Sequence, residues 1–103
     1  METKTYAGVT VELTDEGYMT NAGQWTPEIA NEIAKEAGLA LTPKHMDVIN
    51  FIRQKQASGE QLTIRAIGKS GIVDIKGFYE LFPGAPLKLA SKVSGIPKPA
   101  SCV

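Results

Sequence analysis

The residue with the clearest capacity for chemistry is Cys102, the single cysteine of this 103-residue chain. It lies in the segment 95–103, which also contains Gly95, Pro97 and Pro99. Proline has no N–H to give to a helix and drives the preceding residue toward extended backbone, so this segment is predicted to be an extended, flexible arm. The thiolate form of a cysteine is a nucleophile. The arm therefore predicts a thiol that reaches into another protein's site and carries a group there.

Other potential chemistry is sparse. Cys102 and the single histidine, His45, do not make a zinc site, which usually needs four ligands. The sequence contains no cofactor motif. His45 stands three residues after Thr42, a predicted helix cap, which favours a local contact at the helix start. The alternative is that its imidazole acts as a general base for Cys102.

Composition indicates one ordinary globular domain. The chain has 43% hydrophobic residues, and its 11 basic and 11 acidic residues give a formal net charge of zero. This balance argues against a strong nonspecific attraction to nucleic acid. No apolar run approaches the ~20 residues needed to cross a bilayer, and the first residues lack the apolar core of a signal peptide. With a lone thiol, these features favour the cytoplasm.

The predicted fold is mostly α, within the α+β class, with five helices and a small N-terminal β-hairpin. Val9, Val11 and Leu13 alternate with polar residues, as in a half-buried strand, within a hairpin over residues 4–14. Caps, prolines and glycines place helices at about 27–38, 42–58, 63–70, 74–82 and 86–94. The predicted domain covers residues 1–94 and the arm covers residues 95–103.

The aromatic residues are expected to contribute to the core. Those predicted to be buried are Trp25, Phe78, Tyr79 and Phe82. Tyr6 and Tyr18 are expected to be half-buried against the hairpin. Lys88 and Lys92 are expected to face outward from the last helix, opposite its apolar side.

The central helices also fit a helix-turn-helix-like core. In a DNA-binding protein of this kind the third helix, here 74–82, would read the DNA. This helix carries one lysine, Lys76, and two acids, Asp74 and Glu80. Phosphate binding relies on several Lys or Arg contacts, so a DNA-binding regulator is kept only as an alternative.

The C-terminal sequence closely resembles that of a known family. The pattern Tyr-x-Leu-Phe-Pro-x-x-Pro-x-Lys-x-Ala begins at Tyr79, and Gly-Ile-Pro-Lys-Pro begins at Gly95, before the penultimate cysteine. Further matching residues are Trp25, the Thr42-Pro43-x-His45 helix start and Arg65. On these residues the chain resembles the DsrC/TusE family. Its members are gamma-subunit-like proteins associated with dissimilatory sulfite reductase and their relatives in tRNA thiolation.

The resemblance implies that Cys102 accepts sulfane sulfur as a persulfide and relays it to a partner. A free thiol of pKa ~8.5 is only a few per cent ionised at neutral pH, so nearby cations would increase its reactivity. The candidate cations are Lys88, Lys92, Lys98 and Arg65. In the family, an arginine at the place of Arg65 is associated with docking of the arm. Gly95, Pro97 and Pro99 would shape the arm.

One departure from the family pattern bears on this chemistry. Members that work with sulfite reductase carry a second arm cysteine eleven residues before the penultimate one, and Ser91 stands at that position here. A hydroxyl cannot close a disulfide or share a trisulfide. The resemblance therefore implies one-thiol transfer, as in a TusE-type sulfurtransferase relay, rather than a turnover enzyme.

The resemblance also implies partners. A sulfur-donor protein of the TusBCD or DsrEFH type would load the thiol, and a tRNA thiouridylase or sulfite reductase would accept the sulfur. No cofactor, metal, direct nucleic-acid contact or membrane contact is expected. A second alternative is a non-catalytic docking subunit of dissimilatory sulfite reductase, which would use the same arm without sulfur transfer.

Overall fold

The computed structural model describes residues 2–98, which form a two-stranded hairpin and five α-helices. The elements are β1 (Glu2–Tyr6), β2 (Val9–Leu13), α1 (Pro27–Glu36), α2 (Pro43–Ala57), α3 (Ile64–Gly68), α4 (Ile75–Leu81) and α5 (Pro86–Val93). A short 3₁₀ helix, Ala22–Gln24, precedes α1 and was not predicted. The predicted fold class is confirmed.

The hairpin begins at Glu2, two residues before its predicted start. Its strands are antiparallel, with Glu2 opposite Leu13 and Tyr6 opposite Val9. Ala7 and Gly8 form the turn with φ of +50° and +79°, and positive φ at both positions matches the twist of the strands. Leu13 is buried together with Tyr6 and residues that follow the hairpin, so one face of the hairpin packs on the domain.

The helices begin where caps and prolines predicted them. Thr26, Thr42, Thr63 and Asp74 each accept a hydrogen bond from the backbone N–H three residues on, which satisfies one of the free donors of α1, α2, α3 and α4. The start of α5 has no side-chain cap and is set by Pro86. No helix within residues 2–98 combines the length and apolar character required to span a membrane.

The aromatic residues follow the prediction only in part. Phe78 and Phe82 are fully buried. Tyr79 is 46% exposed, so its predicted place in the core is wrong: it lies one position, about 100°, around α4 from Phe78. Tyr6 and Tyr18 are buried rather than half-buried. The Tyr6 hydroxyl can be buried because it donates a hydrogen bond of 2.8 Å to Oε1 of Glu36.

The last helix, α5, lies against α1, α2 and α4 and carries the start of the predicted arm. Its side toward the core includes Leu87, Ala90 and Val93, which are buried. Lys88 and Lys92 are half-buried on its other side. The packing of α5 therefore determines where the chain leaves the domain.

Candidate functional site at the base of the arm

The described part of the predicted arm is the segment 95–98, and Pro99 and Cys102 lie outside the described residues. Gly95 and Ile96 are buried, whereas Pro97 and Lys98 are exposed. The first two residues of the predicted arm are therefore packed into the domain. Its division from the domain at residue 94, and the roles assigned to its residues, stay predictions.

A hydrogen-bonded C-cap holds the chain at the end of α5. Gly95 has φ of +68°, its N–H donates to the Lys92 carbonyl at 3.1 Å, and the Ile96 N–H donates to the Ser91 carbonyl at 3.3 Å. These two bonds form the Schellman motif, in which glycine takes the left-handed position at low cost. Gly95 is thus needed where the helix turns into the arm.

Two side chains from distant parts of the chain satisfy the next carbonyls. Trp25 donates from Nε1 to the Val93 carbonyl at 2.8 Å, and Arg53 donates from Nη1 to the Ser94 carbonyl at 2.8 Å. The end of a helix leaves such carbonyls without a partner inside the helix. We call Trp25 and Arg53 the clamp, because together they hold the junction between α5 and the arm.

The two side chains of the clamp also contact one another. The Arg53 guanidinium carbon lies 4.2 Å from the centroid of the Trp25 ring, which is a cation–π contact. Arg53 Nη2 donates to the Ala22 carbonyl at 3.0 Å, so the same group bridges the 3₁₀ helix and the end of α5. Burial lowers the pKa of the Arg53 guanidinium, although an arginine remains charged in proteins.

Trp25 also packs directly on the backbone of Gly95. A Cβ atom added at Gly95 would lie 2.3 Å from Cδ1 of Trp25 and 2.8 Å from its Cγ. No real side chain tolerates such distances, so the indole occupies the space that any other residue would need. The clamp therefore requires glycine at this position for a second reason besides its backbone conformation.

One of the predicted cations, Lys98, pairs directly with a carboxylate, Glu16. Lys98 Nζ lies 3.0 Å from Oε2 and 3.1 Å from Oε1 of Glu16. The hydrogen bond from Lys98 lowers the pKa of the Glu16 carboxyl, and the charges of Lys88 and Lys92 lower it further. Both lysines of α5 therefore act electrostatically on the carboxylate that pairs with Lys98. The sequence analysis did not single out Glu16. The feature that could have pointed to it is its position in a charged turn beside Asp15.

Arg65, the fourth predicted cation, lies exposed on α3. It is not among the cations that lower the pKa of Glu16.

A cavity of about 430 Å³ is lined by residues of α4, α5 and the start of α3, including Lys88. A second cavity of about 490 Å³ borders Ile96, Pro97 and Lys98. The described part of the arm therefore runs along the edge of a groove.

Ser91, at the position of the family's second cysteine, is fully buried in α5. Its Oγ atom has no hydrogen-bond partner among the described residues, and the same holds for Ser94. The backbone carbonyl of Ser91 is used by the Schellman motif. The position that would hold a second thiol is therefore inside the domain, one turn before the arm.

His45 has a structural role, which confirms its predicted local contact. Its Nδ1 accepts the Thr42 N–H at 3.0 Å and lies 2.7 Å from Thr42 Oγ1. Its Nε2 donates to the Leu81 carbonyl at 2.7 Å. Both ring nitrogens are thus occupied in joining α2 to the end of α4, which leaves no ring nitrogen for a general base.

Over residues 2–98, no group of three or more His, Cys, Asp or Glu side chains is arranged to hold a metal ion.

Sequence comparison places this arrangement among known proteins. The chain is 40% identical over 101 residues to the sulfurtransferase TusE of Buchnera aphidicola, covering 90% of this chain and 89% of the relative. It is 32% identical over 101 residues to the gamma subunit of the dissimilatory-type sulfite reductase of Nitratidesulfovibrio vulgaris, covering 96% of each.

Structural comparison gives the same result. The NMR structure of Allochromatium vinosum DsrC superposes with a TM-score of 0.83 at 34% identity, covering 99% of this chain and 98% of that one. The family model described as DsrC like protein matches residues 5–103. This match includes the end of β1, all of β2, the five helices, the clamp and the segment 95–103, and it confirms the resemblance predicted from the C-terminal motif. The chain belongs to the family of DsrC-like proteins.

Proposed function

We propose that this protein is a single-thiol sulfur carrier, in which Cys102 accepts sulfane sulfur as a persulfide and passes it to a partner. The observation that carries this proposal is the family match over residues 5–103, in a chain whose lone thiol follows the anchored segment 95–98. The relatives named sulfurtransferase and sulfite reductase gamma subunit support a role in sulfur transfer. Ser91 limits this role to chemistry with one thiol.

The transfer step is an exchange between sulfur atoms. The Cys102 thiolate attacks the outer sulfur of a donor persulfide, a new S–S bond forms at Cys102, and the donor's S–S bond breaks. The donor cysteine leaves as a thiolate, and the transferred sulfur keeps its proton. The step needs no oxidant or reductant, because one S–S bond replaces another. Delivery to an acceptor thiolate is the same step with the roles exchanged.

Charge at the base of the arm supports the thiolate. Lys98 pairs with Glu16, and the charges of Lys88 and Lys92 also act on this carboxylate, so three cations act on a single acid at the base of the arm. A nearby cation favours the ionised thiol and lowers its pKa. Glu16 works against this effect, because it neutralises Lys98. We also propose that Arg65, with its exposed side chain on α3, assists docking of the arm.

The partners are proposed by analogy with the relatives. A protein of the TusBCD or DsrEFH type would load Cys102, and a tRNA thiouridylase or sulfite reductase would receive the sulfur. We propose a cytoplasmic location, where thiols remain reduced. A non-catalytic docking subunit is the second candidate, because one relative is named as the gamma subunit of a sulfite reductase. The DNA-binding alternative gains no support, because the exposed residues of α4 include a single lysine, Lys76, beside Glu80, Ile75 and Tyr79.

Mass spectrometry of the intact protein tests the sulfur-carrier proposal. The protein is incubated with inorganic polysulfide, and each sulfur atom added raises the mass by ~32 Da until a reducing agent removes it. We expect this gain in the wild type and in Ser101→Ala, a matched change beside the thiol, and its loss in Cys102→Ser. A wild-type protein that gains no sulfur would refute the proposal. If Cys102→Ser loses loading but still co-purifies with a sulfite reductase as well as the wild type, the protein also docks on the reductase independently of its thiol.

A further inference from the structure

Each backbone carbonyl from residue 91 to residue 94, at the end of α5, accepts a hydrogen bond. The clamp donates half of these hydrogen bonds. The Schellman motif uses the carbonyls of Ser91 and Lys92. Trp25 and Arg53 use those of Val93 and Ser94. Val93 and Ser94 are fully buried, so the last carbonyls of this helix need donors from elsewhere in the protein rather than from bulk water. The clamp supplies those donors from two distant parts of the chain and so fixes the buried end of α5 to them.

The clamp ties the junction to two other parts of the fold. Arg53 belongs to α2, and its second hydrogen bond reaches Ala22 in the 3₁₀ helix. Trp25 precedes α1 and covers Gly95. Ile96, the next residue, is buried in the core. Movement of the chain before Pro97 would break both hydrogen bonds of the clamp and expose Ile96.

We propose that Arg53 and Trp25 are positioning residues for sulfur transfer, which set the exit point of the arm at Pro97 and so limit how far Cys102 can reach. This inference rests on the proposed sulfur-carrier function. Neither side chain is a catalytic residue, because each acts through the backbone of residues 93–95.

The length of the chain determines the size of the effect. Cys102 lies six residues after Ile96, so a fully extended chain carries it about 20 Å from the anchor. If the junction were released back to Val93, nine residues would separate the anchor from Cys102 and the reach would grow to about 30 Å. The local concentration of the thiol at a partner's site would then fall about twofold, since it decreases roughly as the −3/2 power of the length of the linking segment. A partner's sulfur site is thus expected within about 20 Å of the anchor at Ile96.

Distance measurements on the arm test this proposal directly. Nitroxide labels are attached to Cys102, the single native cysteine, and to a second cysteine introduced by Asn50→Cys at an exposed position of α2. Double electron–electron resonance then gives the distribution of distances between the labels. Trp25→Phe is the informative variant, because it keeps a ring beside Gly95 but removes the N–H that holds Val93. Arg53→Gln removes the hydrogen bonds to both Ser94 and Ala22.

We expect both variants to broaden the distribution and to move its long-distance edge outward by up to about 10 Å, the length of three residues. Lys69→Gln, at an exposed cation in another part of the surface, should give the wild-type distribution. Ile67→Val should also leave it unchanged, because this core change in α3 lowers stability without removing a bond of the clamp. Arg53→Lys should give a distribution narrower than that of Arg53→Gln but broader than that of the wild type, since a lysine restores one charged donor.

Loading by polysulfide separates the two proposals. A small donor needs no positioning, so all folded variants should gain sulfur on Cys102 as the wild type does. If the distributions of Trp25→Phe and Arg53→Gln match the wild type, the positioning role is refuted and the sulfur-carrier function stands. If neither the wild type nor any variant gains sulfur, the carrier function fails. Should Arg53→Gln not fold, Trp25→Phe alone decides the positioning role.

Discussion

Replacement of Gly95 by alanine probes the contact on which the exit of the arm depends. The residue has φ of +68°, and an alanine in this left-handed region costs about 1–2 kcal/mol. Its new Cβ would also lie 2.3 Å from Cδ1 of Trp25, and overpacking of this kind costs about 1–3 kcal/mol. We therefore expect Gly95→Ala to lower the free energy of unfolding by about 2–5 kcal/mol.

Gly38 provides a closely matched control. It ends α1 with φ of +74° and with the same two hydrogen bonds, from Gly38 N–H to the Lys35 carbonyl and from Leu39 N–H to the Ala34 carbonyl. Nothing lies within 4 Å of a Cβ added there. Gly38→Ala should thus show the backbone cost alone, about 1–2 kcal/mol. The difference between the two variants isolates the overlap with Trp25.

Urea unfolding followed by circular dichroism measures both variants, with the slope of each transition checked against the wild type. In a thermal melt, each 1 kcal/mol corresponds to about 4–8 °C for a domain of this size. Gly95→Ala should be less stable than Gly38→Ala by about 1–3 kcal/mol. Equal losses in the two variants would show that the Trp25 ring moves aside freely, and the argument for a rigid junction would then be wrong.

Two further predictions concern charged and polar contacts. Burial and the hydrogen bond to Glu36 raise the pKa of Tyr6 to about 12. The stabilising effect of the Tyr6 hydroxyl is therefore complete below its unfolded pKa, near 10.0, and is lost as the pH rises toward 12. In Tyr6→Phe, the free energy of unfolding measured by urea titration should therefore depend less on pH between 10 and 12 than in the wild type. Glu16→Gln should speed alkylation of Cys102 by iodoacetamide at neutral pH and low salt, because Lys98 is released, and the gain should shrink in about 1 M salt. An unchanged rate at low salt would contradict the proposed electrostatic support.

The helices could be predicted from sequence because their signals are local. Thr42 and the proline after it mark the start of α2, and the contact of His45 with that cap spans three residues. Lys88 and Lys92 stand four residues apart, so a helix brings them to one side. The hairpin turn at Ala7-Gly8 is encoded in the same way. Tyr79 was misplaced because an apolar pattern in a short helix does not indicate which side meets the core.

The candidate site was predicted only in part. A lone thiol on a proline-rich segment can be recognised in the sequence, and so can the serine at the position of the second cysteine. Glu16 could not be recognised, because it meets Lys98 across 82 residues of chain. Arg53 could have been singled out as an arginine on the same face of α2 as Met46 and Ile49. Its role became clear only once its partners were known.

The sequence by itself determined the helix starts and the presence of a single thiol, and it predicts the extended character of the segment that carries this thiol. Each of these properties depends on residue type or on neighbours within one helical turn. The tertiary structure alone decided where that segment leaves the domain. Trp25 meets the Val93 carbonyl across 68 residues of chain and Arg53 meets the Ser94 carbonyl across 41. Such pairs form only after the packing of α1, α2 and α5 has brought their backbones together, and no local pattern encodes that packing.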